Sequence, residues 1–162
     1  MNCKPCHTAE QSVSTAMRKL ADEGTYKIEY QLAASPDGGS GSKEDRRALN
    51  ALGAAADADA GKFARYLGEL LAGSDAATLD KGLLKVAGRV EGLRSPAFDR
   101  AIRELTYLPW VNKVVRTHST KDAPEDSGIP SVALDGAPLS LHADDGRPVT
   151  PREFDRQARV RS

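Results

Sequence analysis

Residues 25–33 read TYKIEYQLA, and how this stretch is read decides the fold class. Tyr26, Ile28, Tyr30 and Leu32 alternate with Lys27, Glu29 and Gln31. An apolar–polar period of two is that of a strand with one buried face, because successive strand side chains point to opposite sides. We therefore expect a strand here. Upstream, Ala9, Val13, Ala16, Met17 and Leu20 recur at helical spacing, and Gly24 suits the position just past a helix end. Downstream, SPDGGSGS at 35–42 is a turn-rich loop that ends the strand. Helix, strand and loop then lead into a long helical stretch, which makes the chain α/β.

That stretch runs from about Lys43 to Ser119. Phe63, Leu67, Leu70 and Leu71 form one apolar stripe, and Leu79, Leu83, Val86 and Val90 form another. Ser95 and Pro96 fit the N-cap and first position of a helix carrying Phe98, Ile102 and Leu105. Pro109 opens a further segment with Val111, Val114 and Val115. All of these stripes read as core packing, with Trp110 in the core or on its rim. Past residue 119 the character changes. Ser131 to Leu134 and Pro138 to Leu141 read as two short strands around an Asp135-Gly136 turn. Thr150, Pro151 and Glu153 then form a capping box, with Phe154 turned inward.

The chain has 162 residues, enough for one domain with its own core, and we expect a single domain over 1–162. Its 23 basic and 23 acidic residues cancel, which argues against a nucleic-acid or anionic-membrane partner. No apolar run approaches the roughly 18 residues of a membrane span, and no secretory signal opens the chain. There are two cysteines, Cys3 and Cys6. So close a pair closes almost no loop, so a structural staple explains it poorly.

Cys3-Lys4-Pro5-Cys6-His7 admits three chemistries. As a haem attachment site it would need a second axial ligand. Met17 lies on the inward stripe of the same helix, and nothing around His118 or His142 suggests a cleft. As a zinc site it lacks a second ligand pair. As a redox dithiol it is well placed, because a thiolate at a helix N-terminus is stabilised by unpaired N–H groups and the positive end of the dipole. Lys4 adds a nearby cation, Pro5 fits a first turn without losing a hydrogen bond, and His7 completes the set of modulating residues. Cys3 is then the exposed nucleophile, and Cys6, one turn in, resolves the mixed disulfide. The dithiol is itself the redox centre, so no cofactor or metal is expected.

Four segments together, CKPCHTAE at 3–10, YKIEYQLAASPD at 26–37, AADADAGKFARYLGELLAG at 55–73 and SGIPSVALDGAPL at 127–139, make the chain resemble the DsbA-like thiol–disulfide oxidoreductases of the thioredoxin superfamily. The resemblance spans nearly the whole chain. It implies a thioredoxin-like fold with a helical insertion at about 43–119, placed between the second strand and the C-terminal hairpin. It further implies that Pro130 is cis and packs against the dithiol, while Ile129 offers its backbone to an extended substrate. Protein thiols and disulfides and a redox partner protein would be the partners, in an extracytoplasmic or membrane-anchored setting. A non-catalytic thioredoxin-like binding domain is the rival reading. One departure stands out: the family's strand leading into the first cysteine has no counterpart here, because only Met1 and Asn2 precede Cys3. A shortened N-terminus is the expected cause.

Overall fold

The computed structural model describes residues 4–32, 42–73, 79–117 and 130–160. They form two compact units, a helical unit from residues 31–122 and a dithiol unit made of residues 3–30 with 123–162.

The helical unit holds α2 (Ser42–Ala58), α3 (Ala60–Ala72), α4 (Asp80–Ala87), α5 (Pro96–Glu104) and α6 (Leu108–Thr117). Helix α2 is its hub and packs against the other four. Its composition explains why. Ala48, Ala51, Ala54 and Ala55 are buried, and such small side chains let neighbouring helices approach closely. At Gly53 a Cβ would lie 2.9 Å from the Cβ of Tyr107, so even alanine would force a shift. Leu52, Tyr66, Leu83, Leu93, Ile102 and Val111 fill the interior.

Two polar side chains are buried there with their bonding satisfied. Asn50 donates to the Ala101 carbonyl at 3.0 Å and accepts from the Tyr107 N–H at 2.8 Å. Tyr66 donates to the Leu83 carbonyl at 3.0 Å, and its ring meets Phe98 edge-on at 5.8 Å. Helix starts follow the capping rules: Asp59 accepts from the Lys62 N–H at 2.9 Å, and Ser95 from the Phe98 N–H at 3.1 Å. The expected stripes hold with two exceptions. Leu79 is 65% exposed, because it caps α4 in extended conformation instead of joining its apolar face. Leu105 is the left-handed C-cap of α5 at φ 52°. Trp110, expected in the core or on its rim, is 38% exposed.

The dithiol unit contains α1 (Lys4–Asp22), β1 (Val132–Leu134), β2 (Ala137–Leu139) and α7 (Pro151–Val160). Helix α1 ends as its sequence suggests. Gly24 takes φ 69°, its N–H bonds the Ala21 carbonyl at 3.0 Å, and the Thr25 N–H reaches back to Leu20 at 3.1 Å. That bond pair is a Schellman motif, which uses a left-handed residue to satisfy the last carbonyls. The hairpin is antiparallel, pairing Val132 with Leu139 and Leu134 with Ala137. Asp135 and Gly136 both have positive φ, as the twist of a two-residue hairpin turn demands. Strand β2 starts and stops earlier than expected, yet Leu141 beyond it is still buried. Val13, Ala16 and Leu20 of α1 pack with Leu139, Leu141, Val149, Phe154 and Ala158 into one apolar cluster. The capping box forms: the Thr150 N–H donates to Glu153 at 2.7 Å, and the Glu153 N–H donates to the Thr150 hydroxyl at 3.3 Å.

The expected α/β, thioredoxin-like fold is not what the described residues form. They give seven helices and one two-stranded antiparallel sheet. Residues 25–32 alternate as foreseen, with Tyr26, Ile28, Tyr30 and Leu32 half-buried and Thr25, Lys27, Glu29 and Gln31 exposed, but among the described residues they pair with no strand. The physical reason is plain. Period-two burial fixes which way side chains point, whereas a strand also needs a neighbour to complete its ladder. Among the described residues, therefore, no β-strand lies between α1 and α2 along the chain, and no parallel sheet forms.

Candidate functional site

Cys6 lies in the first turn of α1, is half-buried, and is disulfide-bonded. Cys3, the other cysteine of the sequence, lies outside the described residues. Pro5 is exposed in the same turn, where its missing N–H leaves no bond unmade. No acidic residue occupies that turn, so no neighbouring carboxylate there opposes a thiolate at the helix start. His7 is half-buried, and its Nε2 is shielded from solvent with no hydrogen-bond partner.

A polar ladder continues down α1. Arg18 donates to Glu10 at 3.0 Å and to the buried Ser14 hydroxyl at 3.0 Å. Tyr30 reaches the same group from the extended segment. Burial, and then the Glu10 charge, push its hydroxyl above the ordinary tyrosine range, with Arg18 partly offsetting them. Residues 7, 10, 14 and 18 share one side of a helix, beside the apolar stripe of Ala9, Val13, Ala16 and Leu20. That spacing was readable in the sequence.

Pro130 is half-buried at the entry to β1 and belongs to the same compact unit as α1. Val132, two residues on, packs against the cluster that Ala9 and Val13 join. Ile129, and with it the expected cis bond to Pro130, lies outside the described residues, as does His118. His142 is exposed and bridges Pro148. Among the described residues no group of three or more His, Cys, Asp or Glu side chains is placed to hold a metal ion, and no helix is long and apolar enough to cross a membrane.

A cavity of about 650 Å³ opens on the helical unit, around Arg94, Ser95, Asp99, Arg100 and Arg103. Arg94 forks onto Asp99, and Arg103 approaches the same carboxylate at 3.7 Å. It is a clasp over the start of α5 and contains none of the dithiol or substrate-groove residues expected from the sequence. No protein-family model, curated protein or solved structure matches this chain.

Proposed function

We propose that the chain carries out thiol–disulfide exchange on protein substrates through Cys3 and Cys6. One observation carries the reading: Cys6 sits, disulfide-bonded and half-buried, in the first turn of a 19-residue helix. The sequence places the second cysteine immediately before that helix, where peptide dipoles favour an anion. The motif resemblance to the DsbA-like oxidoreductases adds to it.

In the reducing direction the Cys3 thiolate attacks a substrate disulfide, forming a mixed disulfide and expelling one substrate thiolate. Cys6 then attacks the Cys3 sulfur, closing the chain's own disulfide and releasing the second substrate thiolate. Oxidation of a substrate dithiol is the same path reversed. A redox partner protein returns the pair to its starting state. Ile129 and Pro130 would shape the groove for the extended substrate, in an extracytoplasmic or membrane-anchored setting, both by that resemblance.

The test has two arms. Alkylation of the reduced protein at mildly acidic pH should label Cys3 before Cys6, and Cys6→Ser should trap a mixed disulfide when its Cys3 thiolate attacks a disulfide of insulin and expels one insulin thiolate. Equal labelling of the two thiols would overturn the assignment of roles. Absence of insulin reduction and of ribonuclease oxidation by the intact dithiol would overturn the function.

A further inference from the structure

Residues 25–32 alternate between exposed and half-buried as an extended chain does. The segment is fixed at its start, where the Thr25 and Tyr26 N–H groups reach the Leu20 carbonyl at 3.1 and 3.4 Å. Beyond that, among the described residues, the backbone N–H and C=O groups of Lys27 and Glu29 make no hydrogen bond. Their side chains are exposed and form no ion pair there. In a ladder the N–H and C=O of one residue point to the same edge, and those of the next residue to the other. Lys27 and Glu29 therefore present one edge together, and Ile28 faces the opposite one. An unpaired edge is a template for a further strand.

Charge decides which strand fits. Take a second copy of the segment running antiparallel, with Ile28 opposite Ile28. Lys27 of each chain then faces Glu29 of the other, and each such pair exchanges both of its N–H···O bonds. Opposite charges meet on the solvent face, while Tyr26 meets Tyr30 of the copy on the half-buried face. Antiparallel registers shifted by two residues keep the faces matched but set Glu29 against Glu29 or Lys27 against Lys27. A parallel pair in register opposes like charges at both positions. Only the symmetric antiparallel register satisfies both charges, and it is self-complementary, as a two-fold contact must be.

We infer that this edge is a contact between two copies of the chain, paired antiparallel about Ile28 through Lys27 and Glu29. Charged residues on an edge ordinarily keep other strands away. Here they match their own sequence and little else. The contact is far smaller than a standard interface of about 20–30 residues a side, so the dimer is weak and forms as concentration rises.

The test is a charge swap, read by sedimentation of the oxidised protein over a concentration series. Wild type should pass from monomer to dimer. Lys27→Glu and Glu29→Lys, each alone, put like charges at both contacts and should weaken self-association about tenfold. Mixed in equal amounts, the two variants give every contact opposite charges, and a mixed dimer should form at wild-type concentrations. Wild type that stays monomeric up to ~1 mM overturns the inference. So does association that neither reversal weakens, or that mixing the variants fails to restore. Hydrogen exchange separates this contact from pairing inside one chain. The Lys27 and Glu29 amides should slow as concentration rises, while the Ile28 amide, on the other edge, stays fast. Protection at Lys27 and Glu29 that dilution leaves unchanged would put the partner strand within the same chain and overturn the inference.

Discussion

In the helical unit nearly every backbone bond is local: each N–H past a first turn finds a carbonyl four residues back, and only the packing of α2 against its neighbours is remote in sequence. The dithiol unit is different. Its hairpin closes across two residues, yet its apolar cluster joins α1 to segments more than a hundred residues away, and residues 25–32, paired with no strand among the described residues, are tied to α7 through a side chain. Tyr26 shows how, donating its hydroxyl to the Ala158 carbonyl of α7 at 3.0 Å. A unit built from local bonds is specified by its own segment. One built across the chain depends on partners its segment does not contain, and the dithiol is mounted on the second kind.

The largest expected effects come from truncating each core. Leu83→Ala should cost about 2–5 kcal/mol and Phe154→Ala about 3–5 kcal/mol, because both side chains are buried and would leave cavities. Hydrogen exchange should place the first loss of protection in α2–α6 and the second in α1, α7 and the hairpin. If Phe154→Ala lowers protection in α2–α6 as much as in α1, the two units unfold as one and the contrast collapses. Next in size is Asn50→Ala, which strands the Tyr107 N–H inside the helical unit, while the Ala101 carbonyl keeps the N–H groups of Leu105 and Thr106. A stranded group costs roughly 1–3 kcal/mol. Denaturant unfolding reads it, and a loss below about 1 kcal/mol would mean that α5 and the 105–107 turn relax around the gap.

The same contrast explains what the sequence made legible. The stripes of Leu67, Leu70 and Leu71 and of Leu83, Val86 and Val90, the Ser95-Pro96 start and the Thr150-Pro151-Glu153 box are all short-range signals, and each appears where its residues place it. Leu79 departs from its stripe because α4 begins one residue after it and leaves it in the cap. The strand at 25–33 misled for a deeper reason. Alternation is local, but pairing is not, and nothing within TYKIEYQLA states whether a neighbouring strand exists. At the candidate site the Cys6 and His7 positions were legible. The Glu10–Ser14–Arg18 ladder and the vacant His7 nitrogen required side-chain geometry.

The extended segment offers a sharper test. Ile28 has no hydrogen bond among the described residues, whereas the ladder of β1 and β2 pairs Val132 with Leu139. Its amide should therefore exchange far faster than those of the ladder. Tyr26→Phe should cost about 0.5–1.5 kcal/mol, the net worth of one hydrogen bond. Strong protection at Ile28 would show that residues 25–32 do pair with a strand, and the corrected fold would need a sheet restored.

The smallest effect concerns a feature the two units share. Helices α5 and α7 both begin Ser/Thr-Pro, and in both an arginine just upstream clasps a first-turn carboxylate, Arg94 on Asp99 and Arg147 on Glu153. Hydrogen bonding to the arginine is the first cause holding each carboxyl below its ordinary range, and Glu153 is lowered further by the Thr150 N–H and hydroxyl. A carboxyl depressed by folding adds stability above its unfolded value, near 4.5 for Glu153, and loses it as pH falls through that value and below. Both clasps are exposed and screened by salt, so the loss should be modest. Glu153→Gln should flatten acid sensitivity in α7 more than Asp99→Asn does in α5, since only Glu153 also accepts from its own cap residue. Thermal melts at pH 6 and pH 3.5, followed by exchange at the two helix starts, would read this. Equal flattening in both variants would mean that the arginine does all the work and that the reciprocal bond of the capping box adds nothing to the acid response.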